Sequence, residues 1–140
     1  MTTNRRILCG IYAAIAVVAL LATWSQNLAS MNGSSFPMGF LQDLKANAAT
    51  RSITVDIVLF FLAAAIFMVF EARRLAIPYV WAYIIGGMLI AISVTFPLFL
   101  IARERKLAET DTNGPKTGDL IGLAAIGAVS VAWLVFTLRG

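Results

Sequence analysis

Residues 52–74 read SITVDIVLFFLAAAIFMVFEARR. Between Ile53 and Phe70 the only charge is Asp56, and the run closes on Glu71, Arg73 and Arg74. An apolar run of about 20 residues is what a helix needs to cross a hydrocarbon core about 30 Å thick, where every backbone N–H and C=O must find its partner inside the segment. The stretch therefore predicts a transmembrane helix over 52–70. Asp56 lies one turn inside it. A carboxylate at that depth is costly, so it is expected to point into a helical bundle or toward water, and the positive end of its own helix lowers the cost. Asp56 and Glu71 are about 22 Å apart along a continuous helix axis. The two acids then mark opposite membrane edges and cannot share a proton or a metal.

Three more runs repeat the pattern on either side. Residues 7–28 follow Arg5-Arg6 and carry no charge. A basic start before an apolar run also describes a secretory signal, but this run exceeds the usual signal core of about 7–15 residues, so a retained helix is expected. A third run covers 79–101. Pro78 suits its first turn, Tyr79, Trp81 and Tyr83 suit the lipid–water boundary, and Gly87, Ala91 and Thr95 form a ridge of small residues for helix contact. Pro97 cannot donate to the Ser93 carbonyl and is expected to kink the last turns. The fourth run, 119–138, begins beside a Gly118–Gly122 pair that permits close packing.

Between the first two runs, Asn32-Gly33-Ser34-Ser35 reads as a turn and Phe36-Pro37-Met38-Gly39 as a helix-breaking link. Residues 40–49 place Phe40, Leu41, Leu44 and Ala48 on one side, as in a short helix at the membrane surface. Asn113-Gly114-Pro115 forms another turn. The expected fold is an all-α membrane protein, with four transmembrane helices and a short interfacial helix between the first and second. It makes one domain over 1–140, with no soluble effector domain.

Composition agrees with this and closes off several functions. Of the 140 residues 60% are hydrophobic and 13% charged, about half the charged share of an ordinary soluble domain. The net charge of +4 comes from basic residues at the edges of apolar runs, which suits lipid headgroups better than a nucleic-acid face. There is no histidine and one cysteine, Cys9, so zinc, haem or copper sites built from those ligands, and His-based triads, are not expected. A bound lipid or apolar pigment is compatible with the chain.

Four straight crossings would put both ends of the chain on one side. Arg5, Arg6, Arg73, Arg74 and Arg139 would then face Lys45, Arg51, Arg103, Arg105, Lys106 and Lys116 across the membrane. Five against six gives no orienting bias; the leading Arg5-Arg6 favours cytoplasmic termini, and the basic cluster after the third run argues the other way. The compartment expected is a bacterial inner or cytoplasmic membrane.

Two groups of polar residues stand out. Asn27, near the end of the first run, and Asp56, near the start of the second, share a membrane side as hairpin partners must, and Trp24 and Thr95 complete a candidate pocket there with Pro97 close by. The alternative for these residues is an Asp satisfied by Asn and hydroxyl partners within the bundle. At the opposite edge Glu71, Arg73 and Arg74 form a second cluster, read either as a local ion pair at a solvated helix end or as an acid facing the bundle with arginines reaching lipid phosphate.

The chain resembles a bacterial family of small multi-span membrane proteins known as domain of unknown function 2834. The resemblance rests on Trp24 and Asn27, the Phe36 to Asn47 segment, Asp56, Phe70-Glu71-Ala72-Arg73-Arg74, the Trp81 region, and Ser93 to Leu100 leading into Arg103-Glu104-Arg105. It covers about residues 7–106 and leaves the fourth run outside. It implies a multi-span membrane architecture without an assigned reaction, cofactor or substrate, and adds weight to Asn27, Asp56 and Glu71.

The function expected is that of a small structural or accessory subunit, packing against other membrane proteins, pigments or lipids or against itself. One alternative is a membrane enzyme acting on an isoprenoid or other lipid, with Asp56 as general acid and Phe60, Phe67, Trp81 and Phe96 stabilising cations. It requires a partly apolar cavity that contains Asp56. A proton-coupled transporter is disfavoured, because Asp56 lies near an edge instead of mid-depth.

Overall fold

The computed structural model describes residues 1–33, 38–111 and 114–139. They form helices and no strand, with four helical stretches that by length and composition could cross a membrane, the third counted along its full contour from Val80 to Thr110, and a short helix between the first two. In chain order these are α1 (Thr3–Gly33), α2 (Met38–Asp43), α3 (Ala48–Leu75), α4 (Val80–Gly86), a π-helical turn over Gly87–Ala91, α5 (Ile92–Thr110) and α6 (Thr117–Leu138).

Several boundaries differ from those read in the sequence. α1 runs on to Gly33, so Asn32 and Gly33 are helical, while Ser34 to Pro37 and Asn113 fall outside the described residues. α2 starts earlier and ends at Asp43 instead of continuing to Ala49. The cause is Asn47. Its side chain accepts the backbone N–H of Thr50 while the Thr50 hydroxyl faces the Asn47 N–H, a reciprocal capping box that starts α3 at Ala48 and ends any helix arriving from α2. At its other end α3 stops at Ala76, which takes the left-handed conformation (φ 51°) and donates to the Ala72 carbonyl.

The largest departure concerns the third apolar run. It is not one rod with a kink at Pro97. The Tyr83 and Phe99 rings meet edge-on at 5.6 Å between centroids. In a straight helix their residues would be separated by about 24 Å. The chain reverses at Ala91, whose backbone is fully extended (φ 179°, ψ 141°), and α5 returns alongside α4. Val80–Ala91 forms one arm, about 18 Å long at the helical rise, and α5 the other. The ridge of Gly87 and Thr95 that suggested contact with another helix closes this hairpin on itself. A Cβ placed on Gly87 would stand 3.0 Å from the Thr95 Oγ1. Pro97 sits inside α5, one and a half turns past the reversal, and is buried.

The core gathers where the hairpin meets α3: Met68 and Ala72 from α3, Ile77 and Val80 from the link and α4, Ile84, and Phe99 from α5. Met68 and Phe99 are fully buried. Phe99 also meets Phe67 edge-on at 6.4 Å, so its ring joins both hairpin arms to α3. α1 lies along α5 in the most extensive helix pair of the molecule. α6 touches α1 only slightly and buries Leu120 alone; its remaining described length is exposed apart from the half-buried Leu134.

This arrangement changes the charge map. Arg103 stands 2.6 Å from Glu71, so the end of α5 lies level with the end of α3 and with the start of α1, not across the membrane from them. The count of five against six, and the placing of both chain ends on one side, rested on a straight third run and no longer follow.

Candidate functional site

The fold-back puts the hairpin tip beneath the end of α1 and the start of α3. A cavity of about 900 Å³ opens there, walled by Thr23, Trp24 and Asn27 of α1, by Asp56, Phe60 and Phe61 of α3, and by the tip from Gly87 to Ser93. Phe40 and Leu41 of α2 form part of the same wall. Each element arrives for a local reason. The capping box fixes where α3 begins and hence where Asp56 lies in its third turn. The extended Ala91 sets how deep the tip reaches.

Trp24, Asn27 and Asp56 thus line one cavity. Thr95 does not line it. It is buried one layer deeper, with its Cγ2 and Oγ1 against Gly86 and Gly87. The reversal at Ala91 turned it inward, to the face between the hairpin arms. Asp56 is exposed, and among the described residues its carboxylate has no hydrogen bond to Asn27, to a hydroxyl or to a cation. Two buried polar atoms near the cavity, Trp24 Nε1 and Thr95 Oγ1, have no partner among the described residues. Ser93 joins the lining next to its own carbonyl, which Pro97 cannot serve as a donor. The arrangement suits an apolar body whose polar end reaches one carboxylate and one amide.

Gly87 is the point where hairpin closure and cavity meet. A methyl group there would lie 3.0 Å from Thr95 Oγ1 and 3.1 Å from both Ile92 Cδ1 and Phe61 Cε2. Crowding of this kind costs about 1–3 kcal/mol, and the better helix propensity of alanine returns about 1 kcal/mol. Gly87→Ala is therefore expected to destabilise the fold by about 1 kcal/mol, and adding Thr95→Ala to recover most of it. A double-mutant cycle by thermal unfolding in detergent measures this; strictly additive effects would show that the two residues do not press on one another.

At the other end of the bundle, the second polar cluster is larger than the sequence suggested. Arg74 clasps Glu71 through two hydrogen bonds of 2.9 and 2.7 Å, and Glu71 also accepts from Arg103 at 2.6 Å. Arg103 continues to Glu104 at 2.9 Å, Glu104 to Arg5 at 2.6 Å, and Arg5 to Asp111 at 2.9 Å. Six alternating charges join α3, α5 and α1. Arg73, expected in this cluster, is exposed and stays outside the network, since one position along a helix turns a side chain by about 100°. Arg5, Arg103, Glu104 and Asp111 were not among the candidate residues. The signal that points to them is the pairing of acid with base at the end of the third run, which a straight run would carry to the opposite edge.

The model of the family described as a protein of unknown function, DUF2834, matches residues 11–105. The chain belongs to this family. The match takes in the cavity, the hairpin and Glu71, Arg74, Arg103 and Glu104, and leaves out Arg5, Asp111 and α6. No curated protein and no solved structure matches the chain.

Proposed function

We propose that this DUF2834 protein is a small accessory protein of the membrane whose working part is a binding site for an amphipathic, lipid-like molecule. The observation that carries the reading is the cavity itself, in which Asp56 and Asn27 lie on walls that are otherwise mostly apolar and partly aromatic. Ligand pockets of this size, about 300–1,000 Å³, are mostly apolar with a few placed polar groups. The test is the lipid retained on protein isolated in mild detergent, read by mass spectrometry. Ile57→Trp places an indole in the cavity wall. It is expected to reduce retained lipid at least about tenfold, which requires a clash of only about 1.4 kcal/mol. Equal retention in both proteins would overturn the reading. Chemical alteration of the retained lipid, lost in Asp56→Asn, would move it to a lipid enzyme.

A second reading concerns α6. It is apolar along its length and, among the described residues, buries only Leu120 against the rest of the molecule. We propose that it packs laterally against another membrane helix, from a partner protein or a second copy. Cross-linking from a cysteine at Val129, in a chain with Cys9→Ser, is expected to give a discrete adduct in native membranes. Adducts no more frequent than those from a cysteine at Leu62 on α3 would defeat it.

A further inference from the structure

The cavity walls limit the chemistry of the occupant further, on the premise that the cavity is a ligand site. Among the described residues that line it there is one formal charge, the carboxylate of Asp56, and no lysine or arginine. Of the basic residues nearest in the chain, Arg51 donates to the Lys45 carbonyl at the junction of α2 and α3, and neither Arg51 nor Lys45 lines the cavity. Four aromatic rings, Trp24, Phe40, Phe60 and Phe61, share the lining with that carboxylate. A negative charge and several aromatic faces in a site without a cation form the environment that attracts a cation, since ring faces carry the negative part of the aromatic quadrupole. The same walls repel phosphate. A phosphate head would bring at least one negative charge beside Asp56 with nothing positive in the lining to offset it.

We infer that the cavity binds the ammonium end of a lipophilic amine, with the cation beside Asp56 and the aromatic rings and the apolar tail along the hairpin tip. The wall residues from Met88 to Ile92 supply the surface for the tail. An ammonium of this kind belongs either to a free amphiphile or to the headgroup of a bilayer lipid, and the chemistry at Asp56 is common to both.

Intrinsic fluorescence tests this, because Trp24 lines the cavity while Trp81 and Trp133 are exposed elsewhere and can be replaced by phenylalanine. The protein carrying Trp81→Phe and Trp133→Phe is placed in nanodiscs of phosphatidylglycerol and titrated with hexadecyltrimethylammonium, hexadecanol and hexadecyl phosphate, which share one tail. The ammonium compound is expected to bind about tenfold or more tightly than the alcohol, and the phosphate more weakly than either. Asp56→Asn should bring the ammonium affinity down to that of the alcohol, and Asp56→Glu should restore part of it. Bilayer phosphatidylcholine that competes with the ammonium compound identifies the lipid headgroup as a source, and absence of competition a free amphiphile. Both outcomes uphold the inference. Equal binding of all three compounds, or preference for the phosphate, overturns it and leaves the cavity as a lipid site. Binding of none of the three removes the site altogether.

Discussion

A reporter fused after Arg139 is expected to read out the compartment opposite to one fused ahead of Thr2. The expectation follows from the reversal at Ala91. α1 and α3 run antiparallel, and the hairpin returns the chain to the end from which it started: Arg103 meets Glu71, and Arg5 meets Glu104. The Asn4 side chain donates to the Pro115 carbonyl, so α6 leaves from that same end and carries Arg139 to the other. Each apolar arm of the hairpin, Val80–Ala91 and Ile92–Ala102, spans about 18 Å or less, short of the ~30 Å core, as in re-entrant segments buried within protein. With the hairpin re-entrant, Arg5, Arg6, Arg73, Arg74, Arg103, Arg105, Lys106 and Lys116 share one side, and Lys45, Arg51 and Arg139 the other. Eight against three is a clear bias, and by the positive-inside rule the first set is expected in the cytoplasm. A periplasmic-type reporter should therefore be active at the C-terminus and silent at the N-terminus and at Asp111. Equal behaviour at both ends would mean that the third run crosses as a straight helix in the membrane.

The sequence was informative wherever a single helix decides the outcome. The capacity of α1, α3 and α6 to span, and the position of Asn27 and Asp56 at one end of the bundle, follow from run length and from the connection between α1 and α3. The course of the third run is not legible in the sequence, because a hydropathy window sums residues without regard to direction. Val80–Ala91 followed by Ile92–Thr110 has the same composition whether the chain continues or turns back. The cues to the turn were present in Gly86-Gly87, Thr95 and Pro97, but each also has a place in a straight helix that packs closely. What distinguishes the two is the surface each side chain meets: Thr95 fills the space left by Gly87, and Tyr83 reaches Phe99. The ion network was hidden for the same reason, since Arg5 and Glu104 are 99 residues apart and become neighbours only after the run has folded.

Arg5→Ala is expected to lower the unfolding free energy by about 3 kcal/mol, whereas Arg74→Ala costs far less. The two arginines make similar contacts: Arg5 binds Glu104 at 2.6 Å and Arg74 binds Glu71 at 2.7 Å. Burial separates them. The Arg5 side chain is 4% exposed and that of Glu104 6%, while Arg74 is 61% exposed at the outer end of the network. Removing one member of a buried pair leaves the other charge without compensation and costs about 3–5 kcal/mol; exposed pairs are worth about 0–1 kcal/mol because water replaces the lost partner. The lower end of the buried range applies to Arg5, since Glu104 keeps Arg103 at 2.9 Å and Asp111 is exposed enough to be solvated. Combining Arg5→Met with Glu104→Gln should recover most of the loss, because it removes both charges and retains the side-chain volume. Thermal unfolding of the four proteins in one detergent separates these cases. Equal losses for Arg5→Ala and Arg74→Ala would show that the network does not hold α1 against α5. A large loss for Arg5→Ala that the double substitution fails to reverse would place the role of Arg5 in the packing of its methylene stem and not in its charge.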